Sequence, residues 1–266
     1  MIRDITIGQY YAEKSVIHSL DPRTKLAGTL VYIVVLFLIK NPWWYLVMLA
    51  GIMLLYKLAH IPYSYLLKGV RGIVVLLVFT LLFRMVLTPG TAVAHIWIFT
   101  VTREGIVKAV SLSSRIALMI TGASLLSYTS TPRELADGLE KAFSFLEKVK
   151  IPVHEMAVIV MIAFRFIPIM IEEMNALMDA QAARGVEFEK CSVLKKCKNV
   201  FSLLVPLFLS TLRRASDLAM AMEARGYNGE KPSSRMNPLQ YEKRDRIAYG
   251  VMLVFFASFL AIRIMN

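Results

Sequence analysis

The first half of the chain is a series of long apolar runs whose breaks fall at prolines and charges. The stretch from Leu26 to Ala59 is interrupted only by Lys40-Asn41-Pro42. A bilayer crossing takes about 20 apolar residues, so the undivided stretch is too long for one helix. Asn-Pro followed by Trp43, Trp44 and Tyr45 reads as an interfacial turn with an aromatic belt. Two spans are therefore predicted, over about 25–40 and 42–59. A basic connection follows from Lys57 to Arg71, with His60, Pro62, Tyr63 and Tyr65 inside it. A third span is predicted over about 70–88, closed by Thr88-Pro89-Gly90. Residues 91–103, which include Trp97 and Phe99, are apolar but short and read as an extended or interfacial loop. A fourth span is predicted from Glu104 to about Tyr128.

The pattern changes at Thr129. Residues 129–245 hold no unbroken twenty-residue apolar run and carry many bases and acids. Thr129-Ser130-Thr131-Pro132-Arg133-Glu134 is a helix start, with hydroxyl caps, a proline at the first position and an early acid. The first helix there is expected to run to about Val149 and stop near Lys150-Ile151-Pro152. In the second, from about Val153 to Gly185, Met156, Val160, Phe164, Ile167, Ile171, Met174 and Met178 recur at three- and four-residue intervals as an amphipathic stripe. Glu172, Glu173, Asn175 and Asp179 fall off that stripe. A third helix, from about Val193 to Gly226, repeats the plan, and each of these two long helices contains one proline, Pro168 and Pro206. With Arg165 central and Glu172-Glu173 closing the apolar part, both long helices are expected to lie in the membrane interface and the cytosol. A fifth span is predicted over Ile247–Ile264 after a Gly/Pro/Ser linker with several bases. The fold class expected is an all-α membrane protein: about five transmembrane helices plus a cytoplasmic domain of long amphipathic helices. The divisions fall at 1–128, 129–246 and 247–266.

Composition supports the membrane reading. Of 266 residues, 57% are hydrophobic and the mean hydropathy is +0.57, above the range of soluble domains. The net charge of +12 would suggest nucleic acid were it spread over a soluble surface. With the N-terminus inside, however, segments 1–25, 57–71 and 129–246 hold 25 of the 31 Lys and Arg. The positive-inside rule thus accounts for the charge, and no nucleic-acid partner is expected. The same map places the C-terminus outside. Met1 to Lys25 has no early apolar core, so no cleavable leader is expected. Cys191 and Cys197 lie in a basic segment and suggest a reducing cytosol rather than a disulfide. The four histidines lack metal-ligand spacing, and no phosphate-cradling loop, nucleophile elbow or paired-acid site stands out. No catalytic residue, bound cofactor or metal is therefore expected.

The candidate functional residues stand at the ends of the two long helices. Ala183-Arg184-Gly185 and Ala224-Arg225-Gly226 are copies of one device, 41 residues apart. Glycine after the last helical turn readily adopts the left-handed conformation that closes a helix. An arginine just before it sits where the negative end of the helix favours a cation. Alanine beside it lets a partner approach the backbone, and the guanidinium fork can grip a partner carboxylate. Four further polar residues are candidates. Arg115 lies inside the fourth span, where a charge must face protein or water; Arg165 sits in the first of the two long helices; and Asp21 and Arg23 stand in Asp21-Pro22-Arg23-Thr24-Lys25, a turn with basic anchors before the first span.

At these residues the chain resembles the transmembrane T component of energy-coupling factor transporters, importers of vitamins and metals related to ABC transporters. Leu20-Asp21-Pro22-Arg23-Thr24-Lys25, Thr131-Pro132-Arg133-Glu134-Leu135-Ala136, Arg165-Phe166-Ile167-Pro168 and the two Ala-Arg-Gly segments carry the resemblance. It implies a non-catalytic subunit whose two long helices dock, through Arg184 and Arg225, on two ATPase subunits that bind the ATP. It also implies a separate substrate-binding membrane subunit, the S component. A dedicated cobalt or nickel system is the alternative within that family, and a self-sufficient secondary transporter the alternative outside it.

Overall fold

The computed structural model describes residues 10–89, 91–96, 99–186, 193–227 and 240–265. Residues 1–9, Trp97, Cys191 and the bases Lys231 and Arg235 of the expected linker lie outside these. Apart from one hairpin, the described chain is helical: α1 (Pro22–Leu38), α2 (Trp44–Leu58), α3 (Tyr63–Arg71), α4 (Val74–Leu87), α5 (Arg103–Thr129), α6 (Pro132–Phe143), α7 (Val153–Ala183), α8 (Val193–Ala224) and α9 (Lys243–Met265). It divides into two compact units. One comprises the described residues within 8–141 and 238–266, the other those within 142–237.

In the first unit the helices start where the sequence signals a start. Asp21 caps α1, its carboxylate accepting the Arg23 N–H at 2.9 Å, with Pro22 in the first turn. Ahead of α6, the Thr131 N–H donates to Glu134 Oε2 at 3.0 Å and the Glu134 N–H donates to Thr131 Oγ1 at 3.2 Å. This reciprocal pair satisfies two donors that a helix start leaves open. Thr102 caps α5 by accepting the Gly105 N–H and ties back through its own hydroxyl to the Thr88 carbonyl at 2.7 Å. Within 91–103, β1 (Ala92–Ile96) pairs antiparallel with β2 (Phe99–Thr102), which agrees with an extended reading.

α5 is the axis of this unit, with α1, α2, α3 and α4 packed on it and α9 on α1. The core draws Val35, Leu36 and Ile39 from α1 and its end, Met48, Ile52 and Tyr56 from α2, Leu118 and Leu125 from α5, and Phe259 from α9. Gly122 sets the approach of α1 to α5: a Cβ there would stand 2.5 Å from the Tyr32 ring. Phenolic hydroxyls facing this core donate to carbonyls near α5's midpoint, Tyr32 to Leu118 at 3.3 Å and Tyr56 to Thr121 at 3.1 Å. Both carbonyls already belong to the helix ladder and use a second lone pair, which keeps the polar tips satisfied in apolar surroundings.

Two expectations change. The basic connection 57–71 is not a plain loop, because Tyr63–Arg71 forms helix α3, bent 62° from α4 across the Gly72–Ile73 break. The sequence reading missed it because Lys57, Lys68 and Arg71 made the segment read as a basic connection. α7, expected to lie in the interface, is with α5 one of two described helices long and apolar enough to cross a membrane. The part of α7 before Glu172-Glu173 is long and apolar enough even with Arg165 inside it. α3 and α4 count as a third crossing if read as one broken span, and α2 is shorter.

In the second unit, α7 and α8 pack on each other. The expected helix to Val149 ends as α6 at Phe143, continuing as a 3-10 turn over Ser144–Val149. Lys150, with a left-handed φ of 64°, closes that turn and feeds Pro152 into α7. Pro168 and Pro206 both lie inside their helices.

Candidate helix-end docking site

The two Ala-Arg-Gly segments fold into the same cap. After α7, the Gly185 N–H donates to the Ala182 carbonyl at 2.9 Å and the Val186 N–H reaches back to the Gln181 carbonyl at 3.1 Å. After α8, the Gly226 N–H donates to the Glu223 carbonyl at 2.9 Å and the Tyr227 N–H to the Met222 carbonyl at 3.0 Å. Each bond of one cap has its counterpart in the other, 41 positions on. Gly185 and Gly226 have φ of 87° and 76°, left-handed values that an L side chain resists. These bonds satisfy carbonyls that a helix end otherwise leaves open.

Exposure matches as well. Ala183, Arg184 and Gly185 are exposed, as are Ala224, Arg225 and Gly226, while Gln181 and Val186, and in the second copy Met222 and Tyr227, are half-buried. Both guanidinium groups therefore stand in the open at helix C-termini, where carbonyl dipoles add negative potential. A cation so placed is held forward without being neutralised. That suits a bidentate contact with a carboxylate that arrives from elsewhere.

Where α7 meets α8, the same interval recurs. Glu173 Oε2 lies 3.1 Å from Arg214 Nη2, and the Thr211 hydroxyl lies 3.3 Å from Met170 Sδ. Both pairs join residues 41 apart. The Ser210 hydroxyl also donates to Glu173. Each arginine of the caps lies eleven residues beyond its member of the Glu173–Arg214 pair, roughly 16 Å along a helix. The two helices thus behave as copies that meet at equivalent points and end in equivalent caps.

The other candidate residues do not join this site. Arg165 is exposed on α7. Arg115, inside α5, is held by the first unit: its Nη2 donates to the Ile39 carbonyl at 3.0 Å and to the Tyr45 hydroxyl at 2.9 Å, and Nε donates to the same hydroxyl at 3.1 Å. Its guanidinium carbon also lies 5.7 Å from the Phe37 ring centre. The arrangement ties the end of α1 and the start of α2 to α5.

Asp21 and Arg23 belong to a polar knot at the start of α1. The Asp21 N–H donates to Asp245 Oδ1 at 2.9 Å, and the other oxygen of Asp245 accepts the Glu242 N–H at 2.9 Å. One buried carboxylate therefore serves the beginnings of both α1 and α9. Arg23 lies over the Tyr241 ring at 4.9 Å. Lys25, 7% exposed, donates from Nζ to the carbonyls of His18 and Thr129 at 2.9 and 2.8 Å, so a cation sits at the negative end of α5. Sequence reasoning marked Asp21, Arg23 and Lys25 but missed Asp245, and it read Thr129 as part of the next helix start rather than as the end of α5; their partners lie 224 and 104 residues away. It also placed Glu173 on a merely polar face and passed over Arg214.

Comparison with known proteins gives a consistent picture. A family model described as cobalt transport protein, CbiQ, matches residues 13–236, which include both caps and the Asp21–Lys25 segment. The chain is 41% identical over 263 residues to a protein of Acidaminococcus fermentans named energy-coupling factor transporter transmembrane protein EcfT, covering 99% of this chain and 98% of that one. Proteins of the same name from Thermanaerovibrio acidaminovorans and Lactococcus lactis subsp. cremoris are 41% and 38% identical. They cover 96% and 92% of this chain, and 95% and 93% of their own lengths.

Proposed function

The chain belongs to the family of energy-coupling factor transporter transmembrane proteins, and on that premise we propose that it couples two cytoplasmic ATPases to a separate substrate-binding membrane subunit. The observation that carries this reading is the pair of identical, exposed arginine caps on α7 and α8. Two equivalent cationic helix ends on one chain suit two equivalent acceptors, each offering a groove for the helix end and a carboxylate for the arginine. Arg184 and Arg225 carry the contact, Ala183 and Ala224 leave room for it, and Gly185 and Gly226 turn the chain away.

In this reading the ATP is bound and hydrolysed on the partners. Closure of the ATPases moves the two caps, and α7 and α8, joined at Glu173–Arg214, carry the displacement into the membrane as a sliding of packed helices. The substrate-binding subunit is thereby reoriented and releases its vitamin inside. The charge distribution supports an N-terminus and coupling helices on the cytoplasmic side and a C-terminus outside. Of the second reading, a dedicated cobalt or nickel system, the description of the matching family model favours the cobalt form. Identifying the membrane subunit that co-purifies with the chain separates the two.

The coupling role is tested by Arg184→Glu and Arg225→Glu. Each is expected to weaken ATPase association by about 2–5 kcal/mol, the range for truncating a desolvated charge pair, and to lower uptake while the protein still inserts. A double variant that captures both ATPases and supports normal transport would overturn the proposal. Transport by the purified chain alone in liposomes would favour a self-sufficient transporter instead.

A further inference from the structure

The coupling role makes no use of α3, whose two faces differ sharply. Its inner face is built into the first unit. Tyr65 and Leu66 pack on the core, the Tyr65 ring lies 5.3 Å from Tyr11 and 5.5 Å from Tyr128, and the Tyr65 carbonyl accepts the Tyr128 hydroxyl. Its outer face carries Tyr63, Leu67 and Arg71 at successive four-residue steps, with Tyr63 50% and Leu67 68% exposed and Arg71 exposed beside them. Exposed Lys57 stands just before α3, in the last turn of α2.

Two further observations indicate what this face meets. Between Pro22 and Arg103 the chain has eight bases and no Asp or Glu, so nothing nearby in sequence neutralises Lys57 and Arg71; Lys68 adds a third charge to the segment. Neither Lys57 nor Arg71 forms an ion pair among the described residues. Second, α4 packs on α5, a helix long and apolar enough to cross a membrane, and α3 departs from α4 by 62°. A helix turned by that angle from a crossing α4 lies closer to the bilayer plane than to its normal. An in-plane helix with large apolar side chains, bordered by uncompensated bases, suits the boundary between headgroups and acyl chains. There tyrosine favours the headgroup level, and long bases reach the phosphates.

We propose that α3 is an in-plane anchor, with Tyr63 and Leu67 seated in one leaflet and Lys57 and Arg71 binding the phosphates of anionic lipid. The partner is chosen by charge: zwitterionic lipid offers the same apolar depth without net counter-charge. Because the anchor uses none of the cap residues, it stands or falls independently of ATPase docking.

The test uses the full-length chain in mild detergent, titrated with phosphatidylglycerol or phosphatidylcholine. Bound lipid is counted by native mass spectrometry and the melting temperature is followed alongside. Phosphatidylglycerol is expected to bind and raise the melting temperature well beyond phosphatidylcholine. Lys57→Gln and Arg71→Gln should each weaken that binding by about fivefold, from about 1 kcal/mol per surface base. Tyr63→Ser with Leu67→Ser should weaken both lipids, because it removes depth rather than charge. Far-UV circular dichroism and gel filtration confirm that each variant is folded, and the single substitutions are read separately if their combination is not. Equal binding of the two lipids, or phosphatidylglycerol binding unchanged in both glutamine variants, would overturn the proposal. So would an equal thermal shift from inorganic phosphate, which marks a free-anion site, or glutamine variants that keep their lipid but lose a co-purifying protein.

Discussion

Glu173 of α7 pairs with Arg214 of α8 at 3.1 Å, and the 41 residues between them equal the interval between Arg184 and Arg225. The pair therefore marks the point from which both helix ends are equally far. With side chains 20% and 42% exposed, the ion pair is partly screened, so its direct contribution is about 0.5–1 kcal/mol. Glu173→Gln and Arg214→Met should each lower the melting temperature of the detergent-solubilised chain by no more than a few degrees. If the pair joins the two arms, both substitutions should lower transport more than stability. The exchange Glu173→Arg with Arg214→Glu should recover much of the loss. A double-mutant cycle on uptake with no coupling between the positions would remove the joint from the mechanism.

The caps make a separate prediction about backbone rather than charge. Gly185 and Gly226 have open space where a Cβ would go, so an added methyl meets no neighbour. Its cost comes from the left-handed backbone alone, about 1–2 kcal/mol per site. Gly185→Ala and Gly226→Ala should each fray the end of their helix and lower ATPase capture although the arginine is intact. Asparagine, which tolerates this conformation, should be milder than alanine. Equal effects of alanine and asparagine would point to a steric role at the interface instead.

Arg115 is expected to be structural. Removing it leaves the Tyr45 hydroxyl and the Ile39 carbonyl without this donor among apolar side chains. Arg115→Met should therefore cost about 2 kcal/mol, and Tyr45→Phe less. Lysine should restore little, since an ammonium cannot span the two acceptors as a planar fork does. Thermal unfolding in detergent distinguishes these cases. Substrate uptake should fall only in proportion to folded protein; a larger fall would place Arg115 in the transport step.

The features legible in the sequence were those whose causes are local. Spans show as apolar runs, the start of α6 shows as Thr131 and Glu134, and each long-helix cap shows as glycine after a good helix former. The resemblance to a family rested on the same short segments. What escaped was tertiary pairing between distant residues: Asp245 looked like one acid in a basic linker, yet it caps α1 from 224 residues away. Glu173 sat off the apolar stripe and so read as solvated, whereas it is the acid that meets α8. α3 was hidden for another reason. Its nine residues include Ser64, Lys68, Gly69 and Arg71, so the segment read as a basic connection between spans rather than as a helix.

His18 supplies a prediction about pH. It lies before α1, where Nδ1 is 2.7 Å from the Ser15 hydroxyl and Nε2 is 3.0 Å from the Tyr11 carbonyl. A carbonyl can only accept, so the proton belongs on Nε2 and the serine hydroxyl donates to Nδ1, which gives a fully satisfied neutral ring. Burial lowers its pKa from the ordinary 6.5, and the positive charge of Lys25 lowers it further. In the unfolded chain the ring takes up its proton near that ordinary value, before the folded protein does. The stability that depends on neutral His18 is thus complete above about pH 6.5 and is lost as the pH falls towards the depressed folded value. The melting temperature should decline over this window, and His18→Gln should flatten the decline while lowering the value at pH 8. A wild-type profile matching that of the glutamine variant between pH 8 and 5 would show that His18 does not set the acid limit of this end of the fold.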